Sequence, residues 1–386
     1  MSQAAPHYCR GLQGARRGHW SAQLFRTAEE KEDILAPFHR TKPFILTLVG
    51  ALAASSLALS GCTGPDNGKT EVSSIPSPTI RAGVLEAAKA GADWLKGQLK
   101  EDSYLEGKVG ETTRKDVGLS IDALLAFRAA EEWDAAKAVA AWVSQPGALD
   151  DYASDQKGMT YPGAIAKTGL ALSLDSVTYP DGNAAQREML AKRLVARLQD
   201  NGRFTDDSNY ADTSNPITQS LAVMFLLKQG LLADQKADPV KYLVEAACED
   251  GSFPDSFDAP GNCFGSVDAT AYVMQSLVLI PEQNEVVNKA AEWLIAQQTE
   301  QGQWNGWNGP SVTSTALAVL ALGDLKTGPA NIAVSNGWTA LATWQMQNGG
   351  WPADNLGQEA DVRATPQAVQ GTAQTSLGVL VGLKEQ

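Results

Sequence analysis

A glycine with an aromatic two places later recurs along the chain as Gly202/Phe204, Gly251/Phe253, Gly302/Trp304 and Gly349/Trp351, with the glycines 49, 51 and 47 residues apart. Counting back at the same pitch reaches Tyr152 and Ser103, beside Asp150-Asp151 and Glu101-Asp102, so the sequence holds six units. Each unit has an amphipathic apolar segment before the turn. After a loop of about a dozen residues comes a second segment, apolar around more of its circumference, such as LeuAlaValMetPheLeuLeu from Leu221. A self-similar period near 50 residues with two helical segments per period predicts a helical-repeat architecture. The pairs are 80–99 with 116–130, 134–143 with 164–174, 184–198 with 216–228, 242–247 with 268–277, 285–298 with 312–322, and 335–347 with 369–383.

A helix apolar on all sides belongs inside, and its amphipathic predecessor outside. Six hairpins in an open stack would need polar capping units at both ends, and the sequence shows none. Closing the array removes the need. The expected fold is all-α: an (α/α)6 toroid with an inner barrel of six helices and an outer ring of six. The long loops then gather at one rim together with the inner-helix N-termini, whose partial positive charge faces any ligand there.

Ahead of the repeats, residues 43–59 form an apolar run behind Arg40 and Lys42 and in front of Leu59-Ser60-Gly61-Cys62. This reads as a secretion signal over 35–61, too short for a stable span. Its ending resembles the bacterial lipobox, which makes Cys62 the lipidated first residue of an extracytoplasmic, membrane-anchored protein. Residues 1–34 do not suit such a signal and read as a misassigned start or an extended basic region. Residues 62–79, rich in Gly, Pro, Ser and Thr, read as a flexible tether, and 80–386 as the toroid. Residues 1–61 hold 7 basic and 4 acidic side chains against −13 for the whole chain, which leaves −16 for the remainder. That acidity disfavours nucleic acid and anionic headgroups, so membrane contact is expected through the lipid anchor alone. In an exported chain, Cys248 and Cys263 favour a disulfide.

The turn copies Gly302-Gln303-Trp304 and Gly349-Gly350-Trp351, followed by ValThrSerThrAla and preceded by SerValAspAlaThrAla, resemble the repeats of the α/α-toroid superfamily of prenyltransferases and squalene cyclases. The superfamily hosts several chemistries. Class II terpene cyclases carry Asp-x-Asp-Asp-Thr-Ala, and here only the central acid, Asp268, is retained, which also suits a helix cap or first-turn acid. Protein prenyltransferases hold zinc through Asp, Cys and His, but His7, His19 and His39 all precede the toroid. No metal and no cofactor is expected. Carboxylate chemistry, as in toroidal glycosidases, remains open to Asp206, Asp207, Asp212 or Asp255. SerValAspAlaThrAla also resembles the repeated segments of vitamin B12 carriers, which pair the toroid with a small β domain.

On that resemblance the expectation is a catalytically blank capture protein that binds a corrinoid and hands it to a membrane importer, with a separate β-domain protein as partner. The alternatives are an exported toroidal enzyme, either a diverged terpene cyclase or a carbohydrate-active enzyme, and a protein-binding scaffold. The expected ligand contacts are Tyr161, Asp207, Tyr210, Asn215, Gln219, Asp268, Thr270, Trp304, Trp307 and Trp351.

Overall fold

The computed structural model describes residues 78–385 except 155–157, 180–181, 258–262 and 355. The signal, Cys62 and nearly all of the tether lie outside the described residues. In chain order the helices are α1 (Pro78–Lys96), α2 (Val117–Ala129), α3 (Trp133–Val143), α4 (Pro146–Ala153), α5 (Pro162–Ala171), α6 (Ala184–Val195) and α7 (Pro216–Lys228). There follow α8 (Pro239–Glu245), α9 (Val267–Leu277), α10 (Asn284–Ala296), α11 (Val312–Gly323), α12 (Gly328–Trp344), α13 (Ala364–Ala373) and α14 (Leu377–Leu380). Two short antiparallel hairpins, β1 (Glu106–Val109) with β2 (Thr112–Lys115) and β3 (Asn305–Gly306) with β4 (Gly309–Pro310), lie in the loops before α2 and α11.

The apolar pattern sorts the helices into layers. α7 buries 11 of its 13 residues whereas α6 buries 3 of 12, the difference between a helix enclosed on all sides and one with a single core-facing stripe. α2, α5, α7, α9, α11 and α13 touch in that order, and α13 touches α2 again, so the inner barrel closes. The (α/α)6 toroid is therefore the fold.

The pairing within it differs from the units read in the sequence. Each outer helix packs most heavily on the inner helix that precedes it: α3 on α2, α6 on α5, α8 on α7, α10 on α9 and α12 on α11. Connector length is the cause. Residues 130–132 and 324–327 are tight links that fold neighbours back antiparallel, while the long outer-to-inner loops are free to cross. Among the described residues no later helix takes the outer position on α13. α1 takes that place, packing on α13 and closing the ring.

One hydrogen-bond device recurs at the glycine turns. The N–H of each turn aromatic donates to a side chain in the first turn of an inner helix: Phe204 to Gln219 (3.0 Å), Phe253 to Thr270 (2.9 Å), Trp304 to Thr315 (3.0 Å) and Trp351 to Thr365 (2.9 Å). Leu105 and Ser120 repeat it in the first unit at 2.9 Å, without an aromatic. The glycine itself has a double reason. Gly302 has φ +80°, and a Cβ there would stand 2.5 Å from the Asn336 carbonyl oxygen of α12. Gly302→Ala is expected to cost about 1–3 kcal/mol, since a left-handed backbone and a close approach are both compromised. The check is a melting temperature several degrees lower than the parent's; an unchanged one would show that the turn relaxes freely.

Four features were not legible in the repeat pattern: the β1–β2 and β3–β4 hairpins, α4 and α14. α14 touches both α2 and α9, which stand apart in the ring, so it runs beneath the barrel at the inner-helix C-termini. The segment after it is tied down by Lys384, whose Nζ lies 3.2 Å from the Asp324 carboxylate. α14 thus crosses part of the barrel at the inner-helix C-termini, and the long loops lie at the opposite end, the mouth, with the inner-helix N-termini. Cys248 and Cys263 are bridged, with Cα atoms 5.5 Å apart, linking the segment after α8 to the approach to α9.

Candidate active site at the mouth of the barrel

Four of the six inner helices start from side-chain caps. Asp116, Asn215, Ser266 and Ser311 each accept from the backbone N–H three residues on. Asp361 accepts from Ala364 N–H at 2.8 Å, and Tyr161 precedes α5 without capping it through its side chain. The sixth residue after these positions is Asp122, Lys167, Leu221, Tyr272, Leu317 and Gln367 in turn. Asp122, Lys167, Tyr272 and Gln367 are only partly buried although the residues on either side of them are buried. Six equivalent positions on a closed ring of helices form one layer facing its axis.

Two of these groups are in direct contact. Lys167 Nζ lies 2.7 Å from the Asp122 carboxylate, with side chains only 13% and 17% exposed. Burial pushes the Asp122 carboxyl above the usual range, against the pull of Lys167. The Tyr272 phenol is raised by burial and further by Asp122 and Asp268. α2 and α9 do not adjoin in the ring, so this influence crosses the barrel. Tyr152 of α4 leans over Gly118, where a Cβ would be 2.8 Å from its hydroxyl oxygen, and its phenol is raised by burial and then by Asp122. Above them Arg363 stands 3.6 Å from Asp116, spanning the seam between α13 and α2. The Gln367 side-chain oxygen is buried and accepts no hydrogen bond among the described residues.

The ligand contacts expected from the sequence divide three ways. Gln219, Thr270, Trp304 and Trp351 are fully buried in the packing. Gln219 spends its amide on Phe204 N–H and on the Gly202 and Pro239 carbonyls, and both Trp indoles donate to outer-helix carbonyls at 2.7 Å. These side chains serve the repeat and do not reach the mouth. Asn215 is a cap, and Asp207 holds its loop through Arg197 and a backbone bridge to Thr160. Asp206 and Asp212 likewise bind Thr213, Ser214 and Arg203 of their own loop, and Asp255 is exposed. Tyr161 is partly buried, Tyr210 is 43% exposed, and Trp307 is 61% exposed at the tip of the β3–β4 hairpin, where β3 touches both α9 and α11. Asp268, 6% exposed, is not the cap of α9. Ser266 is, and Asp268 stands in the first turn beside Tyr272.

Asp122, Lys167, Tyr152 and Tyr272 were absent from the expected ligand contacts. Their signal was available: Asp122 and Lys167 are single charges inside the apolar runs ValGlyLeuSerIleAspAlaLeuLeu and GlyAlaIleAlaLysThrGlyLeu. A charge there must face something other than the core.

No family model matches this sequence, and no curated protein does. Solved structures share its fold. A protein from Actinoplanes aligns with TM-score 0.56 at 15% identity, covering 75% of this chain and 99% of that one. The type II terpene cyclase MstE from Scytonema aligns at 0.55 and 12%, covering 76% and 99%. A GH76 α-mannanase of Bacteroides thetaiotaomicron aligns at 0.55 and 12%, covering 77% and 97%. At these identities the likeness concerns the fold. The expectation of a catalytically blank corrinoid carrier nevertheless does not stand, because the activities named among these neighbours are enzymatic.

Proposed function

We propose that this chain is an exported carbohydrate-active enzyme that hydrolyses a glycosidic bond of a polysaccharide at the barrel mouth. The observation that carries the reading is the Asp122–Lys167 pair set across the axis from Tyr272 and Asp268. Glycoside hydrolysis needs two carboxyl groups in unlike environments, one to protonate the leaving oxygen and one to activate water or attack the anomeric carbon. Asp122, whose proton affinity burial raises, is the acid, and Lys167 stabilises the carboxylate it leaves behind. Asp268 lies in the first turn of α9, where the helix dipole favours the anion, and takes the second role. As Asp122 gives its proton to the glycosidic oxygen the C–O bond breaks, and water adds at the anomeric carbon with its proton passing to Asp268. The exposed rings of Tyr210 and Trp307 suit stacking on sugar faces. The signal read at 35–61, the lipidation read at Cys62 and the Cys248–Cys263 bridge support action outside the cytoplasm.

The test is release of reducing ends from a panel of mannans and uronate-containing polysaccharides. Asp122→Asn is expected to lower turnover by about 10²–10⁴ while the protein stays folded. Because the Asp122 pKa is raised, the protonated, active form persists above the ordinary carboxylate range and activity falls as pH rises through it. A second reading, a polyprene cyclase, has one observation in its favour: Asp268 occupies the central position of the cyclase acid motif. Conversion of a polyprene by protein that leaves every polysaccharide intact would replace the first reading with the second.

A further inference from the structure

We propose that the face opposite the mouth carries a second binding site, for a small ligand bearing a carboxylate or phosphate group. A cavity of about 690 Å³ opens where α2, α5 and α7 end, walled on one side by α14 and Gly382. Three basic side chains from three helices converge on it: Arg128, Arg187 and Lys228. In a chain with 44 acidic and 31 basic residues, this concentration runs against the overall balance.

The partners of these cations are incomplete. Arg128 is 8% exposed; one nitrogen reaches Asp175, while its Nε and Nη1 make no hydrogen bond among the described residues. Its guanidinium is stacked 3.9 Å from the centre of the Trp133 ring, which fixes its orientation. Arg187 donates to the Leu172 carbonyl at 3.1 Å. Lys228 has no carboxylate within ion-pair distance among the described residues; Gly382 sits beside its ammonium, where a Cβ would be 3.7 Å away. Of the two acids in the lining, Asp175 is taken by Arg128 and Thr178, and Glu131 is exposed on the rim.

Arg128 and Lys228 stand in last helical turns, where a basic side chain can simply offset the helix dipole, but Arg187 stands in the first turn of α6, where the dipole opposes its charge. Dipole compensation therefore does not account for setting Arg187 against Lys228. Burial, and then the neighbouring Arg187, hold the Lys228 ammonium below its usual range, so the positive charge is costly as the site stands. An oxyanion between Lys228 and Arg187 removes the repulsion, and the planar body of Trp133 offers a surface for the rest of the ligand.

The experiment uses the full-length protein in oxyanion-free buffer at fixed ionic strength, titrated with inorganic phosphate and separately with glucuronate, and read by melting temperature and calorimetry. A saturable rise with at least one probe is expected, and the tighter probe identifies the headgroup. Lys228→Met is expected to weaken that response at least tenfold while raising the melting temperature without anion, because a repelled charge is removed. Asp122→Asn, at the other end of the barrel, should leave the response intact. The proposal is overturned if neither probe gives a saturable response or if Lys228→Met responds like the parent. A lower anion-free melting temperature for Lys228→Met would do the same, since it would make Lys228 an ordinary helix-terminus partner.

Discussion

Replacing Asp122 with Leu and Lys167 with Met together is expected to give a protein that folds, melts no lower than the parent and has lost its turnover. The two charges are paired at 2.7 Å with most of their surface removed from water. Desolvating such a pair offsets much of its attraction, so apolar replacements of similar size are neutral or stabilising by about 1–4 kcal/mol. Leu221 and Leu317 already occupy two of the six axial positions and show that the layer accepts aliphatic side chains. Each single replacement should instead destabilise, by less than the about 3–5 kcal/mol of a fully buried broken pair because some solvent reaches both groups. The pH dependence has a definite sign. The folded chain holds the Asp122 proton more tightly than the unfolded chain does, so this site's contribution is greatest at low pH and is lost as pH rises through the raised pKa. The melting advantage of the double variant over the parent should therefore widen from pH 4 to pH 8. A double variant that unfolds at neutral pH would assign the pair to stability and withdraw the reason for placing chemistry on it.

The same layer shows what could be read from the sequence and what could not. Repeat period, layer assignment and closure follow from local patterns, because apolar spacing and glycine turns are set within each unit. The partners of Trp304 and Trp351 were harder to read. An aromatic in register with a glycine could point to the mouth or into the packing, and only the Leu294 and Leu341 carbonyls receiving the two indoles settle the direction. Gln219 illustrates the same ambiguity: an amide on the first turn of an inner helix suits a ligand, but the turn of its own unit and the Pro239 carbonyl of α8 take its hydrogen bonds. Asp122 was hidden by the opposite error, since a charge between Ile121 and Ala123 passes for an interruption of a core helix until ring closure gives that helix an axial face.

A chain that lacks residues 1–97 is expected to have no cooperative melting transition, and a synthetic peptide of residues 78–97 should restore one. In an open stack of repeats, stability is close to a sum over units, so loss of a terminal helix costs one term and leaves the rest folded. Closure changes this. α1 is the outer partner of α13, at the far end of the described chain, and it buries Val84, Ala87, Ala88, Ala92 and Leu95. Val84 and Leu95 alone contribute about 1.5–3 kcal/mol each, against a net stability of about 5–15 kcal/mol for a typical domain. The loss extends to the partner side. Gly91 seats the Trp351 ring, which is fully buried, and Gln345 donates at 2.8 Å both to the Ala87 carbonyl of α1 and to the Gly349 carbonyl of its own turn. Without α1, Trp351 and the outer face of α13 meet water, and the contact of α13 with α2 that completes the barrel loses its support. A truncated chain that still melts cooperatively within a few degrees of the parent would show that α13 holds its place alone and that the ring is closed by the inner helices without α1.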